Sequence, residues 1–251
     1  MRKFGLIGYP LGHSFSAKYF AEKFSRENIR DCEYNNYPIE CLDEEFRELV
    51  LRNTDLCGLN VTIPYKTEII RYIDSTEPVI KEIGAVNVLK IRRIEGKLRI
   101  SGFNSDVTGI RSSLAPYNNE GIRKAIILGT GGSSKAVAYV LNQAGIEVLF
   151  ISRKKKNGSL GYSDLTTGLL RESDMIVNTT PLGMFPDTGS MPAIDYNTLS
   201  EKHILFDLVY NPEITAFLRK GKERGCRIVT GLGMLHAQAE RSWEIWNDEN
   251  L

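Results

Sequence analysis

The chain has 251 residues, 32 Lys and Arg against 31 Asp and Glu, and 42% hydrophobic residues. That length suits one large domain or two ordinary ones with a full core. A formal net charge of +1 gives no general pull toward nucleic acid or an anionic membrane, and no apolar run approaches a membrane span. The four cysteines are scattered, with no Cys-x-x-Cys pair. They read as free thiols of a reducing cytoplasm. The three histidines show no metal-ligand spacing, so no metal site is expected. The N-terminus reaches Gly8-Tyr9-Pro10 too soon to read as a signal peptide.

Residues 3–7 form an apolar strand, ended by the loop Gly8-Tyr9-Pro10-Leu11-Gly12-His13-Ser14-Phe15-Ser16. Ser16 can cap the helix that follows, with Ala17, Phe20, Ala21 and Phe24 on one face. Residues 34–39 read as a strand. Residues 43–51 read as an amphipathic helix with Phe46, Leu49 and Val50 inward, and Asp43, Glu44 and Glu45 suit its N-terminus. Residues 57–62 are a strand stopped at Pro64, and 65–73 read as a helix. Residues 85–94 and 97–101 alternate around Glu95-Gly96, a hairpin signature. Asp106 can cap a helix whose inner face is Val107, Ile110 and Leu114. A turn-rich linker over 116–121 follows.

The second half alternates more regularly. Strand 124–128, helix 133–144 and strand 147–151 come first, then strands 175–178 and 203–207. Helix 215–224, strand 227–230 and a last helix over 232–247 close the chain. Alternating strands and helices predict a parallel sheet with helices on its faces.

Between the first of those strands and its helix lies Gly129-Thr130-Gly131-Gly132-Ser133-Ser134. A helix start offers unpaired N–H groups and the positive end of the dipole, so it suits a phosphate. Gly129 permits the tight turn, Gly131 lets the backbone approach a pyrophosphate, and Ser134 is small enough for close packing. A P-loop does not fit, because Lys135 lies between Ser134 and Ala136. Arg153 follows the second strand of this unit, where an NAD site usually carries an acid for the ribose 2′-hydroxyl. Arginine there, with Lys154 beside it, suits a 2′-phosphate. The ordinary alternative is a solvated basic loop.

In the first half, Pro64 and the preceding strand fix where Lys66 emerges. Most lysines are simply solvated, Asp106 has its alternative as a helix cap, and Asn60, Thr62 and Asn87 have theirs as turn formers. Taken alone, these residues indicate a two-domain α/β protein that binds a phosphorylated dinucleotide, with a polar cleft in its first half. They leave the reaction open.

In ordered blocks along nearly the whole chain, the sequence resembles the shikimate dehydrogenase family. The blocks are the loop from Gly8 to Ser16, then Gly58-Leu59-Asn60-Val61-Thr62-Ile63-Pro64-Tyr65-Lys66, Gly84-Ala85-Val86-Asn87, and Gly102-Phe103-Asn104-Ser105-Asp106 with Gly109. The glycine turn follows, then Asn178-Thr179-Thr180-Pro181-Leu182-Gly183-Met184, Asp207-Leu208-Val209-Tyr210-Asn211-Pro212 with Thr215, and Gly231-Leu232-Gly233-Met234-Leu235 with Gln238.

The resemblance implies reversible NADPH-dependent reduction of 3-dehydroshikimate to shikimate, on two α/β domains. It implies a substrate domain over 1–105, a Rossmann-like NADP(H)-binding domain over 106–230 with a linking helix at 106–116, and a last helix, 231–251, returning to the first domain. Lys66 and Asp106 would form the catalytic pair. Ser14 and Ser16, helped by Tyr210, would hold the substrate carboxylate, and Asn60, Thr62, Asn87, Asp106 and Gln238 its hydroxyls and ketone. Gly129, Gly131, Gly132, Ser133, Arg153, Lys154, Thr179, Leu208, Gly231, Met234 and Leu235 would bind NADP(H). The implied protein is a cytoplasmic monomer or homodimer with a small-molecule substrate and neither a nucleic-acid nor a membrane partner.

Departures from the family pattern include Ala17, Val88 and Ser105, which are conservative for the chemistry, and Lys154, which stands where a threonine commonly follows the arginine. Where the family has a helix after Arg153, residues 154–162 are short and rich in Lys, Gly and Ser, which predicts a loop and an opened adenosine side. Two other functions compete. An NAD-using quinate/shikimate dehydrogenase is opposed by Arg153 and Lys154. A catalytically silent nucleotide sensor is opposed by Lys66, Asp106 and the two serines.

Overall fold

A computed structural model describes residues 1–11, 15–155 and 158–251. The chain divides into two compact units, one of Met1–Ser105 with Ala239–Leu251, the other of Asp106–Gln238.

The first unit opens on β1 (Arg2–Gly8), α1 (Phe15–Arg26), β2 (Cys32–Pro38), α2 (Leu42–Arg52) and β3 (Leu56–Val61). A 3-10 turn over Glu68–Tyr72, β4 (Ser75–Thr76), α3 (Val79–Ile83), β5 (Val88–Ile94) and β6 (Lys97–Phe103) complete its main run. The described strands form a mixed sheet in the order β2-β1-β3-β5-β6-β4. β1 is parallel to both neighbours, with Leu6 opposite Asn36 on one side and Asn60 on the other. β3, β5 and β6 are antiparallel. Glu95 and Gly96 both take positive φ, 51° and 74°, as a tight two-residue hairpin requires.

Two local expectations change. Residues 65–73 are a turn and a 3-10 helix, because the Lys66 carbonyl, which an α-helix would offer to Ile70, takes the Val86 N–H at 2.7 Å. α1 begins at Phe15, so Ser16 lies in its first turn and does not cap it.

The second unit contains α4 (Asp106–Leu114), β7 (Lys124–Leu128), α5 (Gly132–Gln143), β8 (Glu147–Ser152), β9 (Ser159–Gly161) and α6 (Thr167–Glu172). Then come β10 (Met175–Asn178), β11 (Ile204–Asp207), α7 (Ala216–Glu223), β12 (Arg227–Val229) and α8 (Gly231–Asn247). The sheet order is β12-β11-β10-β7-β8-β9, and these neighbours pair in parallel. The chain steps outward from β7 through β8, then returns to β10 on the other side of β7. That reversal is the topological switch point where open α/β sheets bind ligands. β10 and β11 are buried along their whole length, which explains their unbroken apolar runs. The loop expected over 154–162 is partly a strand. β9 extends the sheet beside β8, and Leu160 packs into this unit's core, which holds so short an edge strand in place.

From Ala239 onward, α8 groups with the first unit. There Ala239, Ile245 and Trp246 share a core with Phe4, Phe20, Phe24, Val88 and Phe103. The Trp246 ring stacks on Phe4 at 4.8 Å, and its indole N–H donates to the Leu89 carbonyl at 3.0 Å. The buried Lys90 donates to the carbonyls of Ile245 (3.0 Å) and Asp248, a cation at the helix C-terminus. Gly58 makes room for this packing, since a Cβ there would strike the Trp246 indole. Gly58→Ala is expected to lower stability to urea by about 1–3 kcal/mol, the range for overpacking. Part of that loss should return when Trp246→Phe is added. Losses that simply add would disprove the packing relation.

Candidate functional site

Parallel strands send their following loops to one sheet edge. β1 and β3 run parallel, so the chain leaves Gly8 and Val61 at the same edge of the first unit. Asn60 lies at the end of β3, and the loop beyond carries Thr62 and Lys66. Asn87 precedes the antiparallel β5 and arrives at the same edge. Backbone bonds fix it there: Val61 N–H to Asn87 O at 2.9 Å, Asn87 N–H to Phe103 O at 3.1 Å and Val86 N–H to Lys66 O at 2.7 Å. The structure therefore gathers Asn60, Thr62, Lys66 and Asn87. Ser14 lies outside the described residues.

Side chains link these positions further. The Ser16 hydroxyl bonds to the Tyr34 phenol. Tyr34 donates to Asn60 Oδ1 at 2.8 Å, and Asn60 Nδ2 donates to Ser242 Oγ at 2.9 Å. Ser242 Oγ lies 3.2 Å from Ser105 Oγ, which accepts from Asn87 Nδ2 at 3.1 Å. The Ser105 N–H closes the chain on Asn87 Oδ1 at 2.7 Å. The sequence contained no local signal for Tyr34 or Ser242.

In the second unit Asp106 opens α4 and is buried. The glycine turn forms as its residues predict. Gly129 has φ 113°, and a Cβ there would crowd the Thr179 hydroxyl. Gly131 is the N-cap of α5, with open space beside it. Gly132 and Ser133 form the first turn, whose N–H groups suit an anion. Ser134 is fully buried and donates to the Gly131 carbonyl at 2.6 Å, which is the close packing its size allows. Thr179 donates both its N–H and its hydroxyl to Leu128 O, at 3.0 and 2.7 Å, tying the loop after β10 to the end of β7.

Arg153 and Lys154 are exposed directly after β8, while Lys155 pairs with Asp164 at 3.4 Å. Leu208 and Tyr210 are half-buried after β11. Gly231 starts α8 against the Leu208 and Val209 carbonyls, leaving no room for a side chain. Met234 and Leu235 are buried in α8, and Gln238 is half-buried.

The loops after β10 and β11 share an organiser that the sequence reading left without a role. Asp207 is buried at the end of β11. It accepts from Asn178 Nδ2 (2.9 Å), Val209 N–H (3.0 Å) and the Thr215 hydroxyl (2.5 Å), and Thr215 caps α7. Asn178 Oδ1 in turn accepts from the Thr180 N–H (3.1 Å) and hydroxyl (2.6 Å). One carboxyl thus holds both loops. Asn178 and Asp207 begin two of the sequence blocks, which was the available signal.

A family model described as the shikimate dehydrogenase substrate-binding domain matches residues 6–89. The chain is 34% identical over 259 residues to a shikimate dehydrogenase (NADP(+)) of Carboxydothermus hydrogenoformans, covering 96% of this chain and 90% of that protein. It is also 34% identical, with the same coverages, to the enzyme of that name from Methanococcus vannielii. Among solved structures, shikimate dehydrogenase 1 from Peptoclostridium difficile matches with TM-score 0.83 at 35% identity, covering all of this chain and 94% of that one. The Thermus thermophilus shikimate 5-dehydrogenase, solved with NADP(H) and shikimate, matches with TM-score 0.82 at 29% identity over 98% of this chain and 94% of that one.

The Asp207 carboxyl makes stability depend on pH. Burial pushes it from 3.8 up to about 7, against the three hydrogen bonds that favour its anion. Between those values the folded chain holds a proton that the unfolded chain has lost. The contribution is full below about 4 and disappears as pH rises through about 7. Asp207→Asn keeps the acceptor for Asn178 and Val209 and offers Thr215 a donor, as the protonated acid does. From pH 5 to pH 8, the variant should gain about 2–3 kcal/mol on wild type in urea unfolding. A constant difference across that range would refute the raised Asp207.

Proposed function

The chain belongs to the shikimate dehydrogenase family, and from that membership we propose that it reduces 3-dehydroshikimate reversibly to shikimate with NADPH. The observation that carries the reading is the edge array of the first unit, with Asn60, Thr62, Lys66 and Asn87 gathered and Ser16 bonded into it. That array matches a small ring bearing hydroxyls and a carboxylate. Residues 1–105 act as the substrate domain, 106–230 as the dinucleotide domain and 231–251 as the returning helix. The protein works as a cytoplasmic monomer or homodimer on small molecules alone.

The residues fit a phosphorylated dinucleotide. Open space at Gly131 and the N–H groups of Gly132 and Ser133 accommodate a pyrophosphate. Arg153 and Lys154 are exposed where a 2′-phosphate is read. Gly129, Thr179 and Gly231 shape the turns around it, and Leu208, Met234 and Leu235 supply apolar packing. Bound NADPH supplies the hydride.

Ser14, Ser16 and Tyr210 hold the carboxylate. Asn60, Thr62, Asn87 and Gln238 bind the ring oxygens with Asp106. Negative charge builds on the ketone oxygen as its carbon is reduced. The Lys66 ammonium stabilises that charge and delivers the proton, and Asp106 orients Lys66 and shares the proton traffic. Arg153 and Lys154 disfavour NAD, and the Lys66 and Asp106 side chains disfavour a silent sensor.

The test is shikimate-dependent NADP+ reduction by purified protein, with quinate and NAD+ as controls. Shikimate with NADP+ should give the highest kcat/KM, and a preference for NAD+ would overturn the cofactor assignment. Lys66→Ala should lower turnover by about 2–3 orders of magnitude while shikimate still binds. An undiminished rate would remove Lys66 from the chemistry.

A further inference from the structure

We propose that Tyr34 and Ser242 are positioning residues of the substrate site, holding the carboxamide of Asn60 in one orientation before substrate arrives. The inference rests on the function proposed above. A carboxamide has two unlike ends, an acceptor oxygen and a donor NH2. Reversed, it exchanges donor for acceptor toward the substrate and toward its own neighbours. Each asparagine here is fixed by different means.

Asn87 is fixed by the main chain, since the Ser105 N–H can only donate and so keeps Oδ1 toward itself. Asn60 instead lies between two hydroxyls, Tyr34 on its oxygen and Ser242 on its nitrogen. A hydroxyl can donate or accept, so either alone would tolerate a reversed amide. One neighbour that can only accept removes that freedom. The Asn87 carbonyl lies 3.4 Å from Asn60 Nδ2 and would repel an oxygen there. On the other side the phenol gives its single hydrogen to Asn60 Oδ1 at 2.8 Å. Burial pushes the phenol's pKa up, so Tyr34 keeps that hydrogen.

Ser242 then couples the two carboxamides. It accepts from Asn60 and lies 3.2 Å from Ser105, which accepts from Asn87. Asn87, Ser105 and Ser242 are 2%, 0% and 0% exposed, so water cannot replace a lost partner cheaply. Tyr34 extends the chain to Ser16, linking the serine assigned to the carboxylate with the asparagine assigned to the ring.

Ser242→Ala and Tyr34→Phe test this in the full-length protein. The Phe variant keeps the ring stack on Phe20, whose centroid lies 4.5 Å away. Each should raise the shikimate KM, and the shikimate Kd by calorimetry, about five- to tenfold, the scale of one lost buried hydrogen bond. kcat should move much less, and the pH profile of kcat should stay in place. In an Asn60→Ala background neither substitution should weaken shikimate binding further. Folded variants with KM within twofold of wild type would overturn the proposal, as would effects that persist undiminished without the Asn60 side chain. If Ser242→Ala fails to fold, Tyr34→Phe decides by the same criteria. Wild-type turnover is measured first: its absence removes the functional reading and this inference together, whereas active wild type with unshifted variants removes the positioning role alone.

Discussion

Parallel strand pairing is the constraint on which both units depend. It sends each strand's following loop to the same edge, so residues far apart in sequence arrive side by side without any direct attraction. In the first unit the edge past β1 and β3 receives Asn60, Thr62 and Lys66, and Asn87 joins through the antiparallel β5. In the second, the loops after β7, β8, β10 and β11 carry Gly129, Arg153, Thr179 and Leu208 to one edge of a parallel sheet. Side chains on such loops stand at the ends of largely buried strands.

A cost of that arrangement is that polar groups end up away from water, and the two units offset it differently. Around Asn60 and Asn87 the first uses neutral groups: Tyr34, Asn60, Ser242, Ser105 and Asn87 satisfy one another without charge. The second uses an acid. Asp207 binds Asn178, Val209 and Thr215, but its own burial pushes it toward the neutral form. A neutral network is indifferent to pH and depends on which way each hydrogen points. A buried acid can be satisfied in either protonation state, and its stability contribution moves with pH.

Much of the fold was legible in the sequence, most clearly where apolar runs are buried on both faces. Strands 124–128 and 175–178 were expected over the same residues the structure shows. The Glu95-Gly96 hairpin was equally plain. Legibility failed where non-local bonds override local pattern: Val86 diverts the Lys66 carbonyl, and Leu160 anchors a strand in a segment composed like a loop. α6 was also missed. Gly168 weakens its helical pattern, and the Thr166 cap becomes decisive only in the folded chain. For the site, composition and periodicity led to a dinucleotide and no further, and the residue roles came from resemblance to a family. Tyr34 and Ser242 escaped both routes, because their partner Asn60 lies 26 and 182 residues away.

Ser242 reaches that partner only if α8 is held in one rotation and one register against the first unit. A helix turns by about 100° per residue, so a one-residue slip would carry Ser242 away from Asn60. Three contacts prevent it, each acting at a different place. Glu240 takes the buried Lys23 ammonium at 2.7 Å and the Tyr19 hydroxyl, fixing the rotation of the helix beside Ser242. Trp246 enters the space that Gly58 leaves and bonds to Leu89, which fixes depth. Lys90 caps the last-turn carbonyls, which fixes the position along the axis. None of these residues touches Asn60 itself. Lys23, Gly58 and Lys90 therefore act on it through geometry alone, by delivering one serine hydroxyl to one carboxamide.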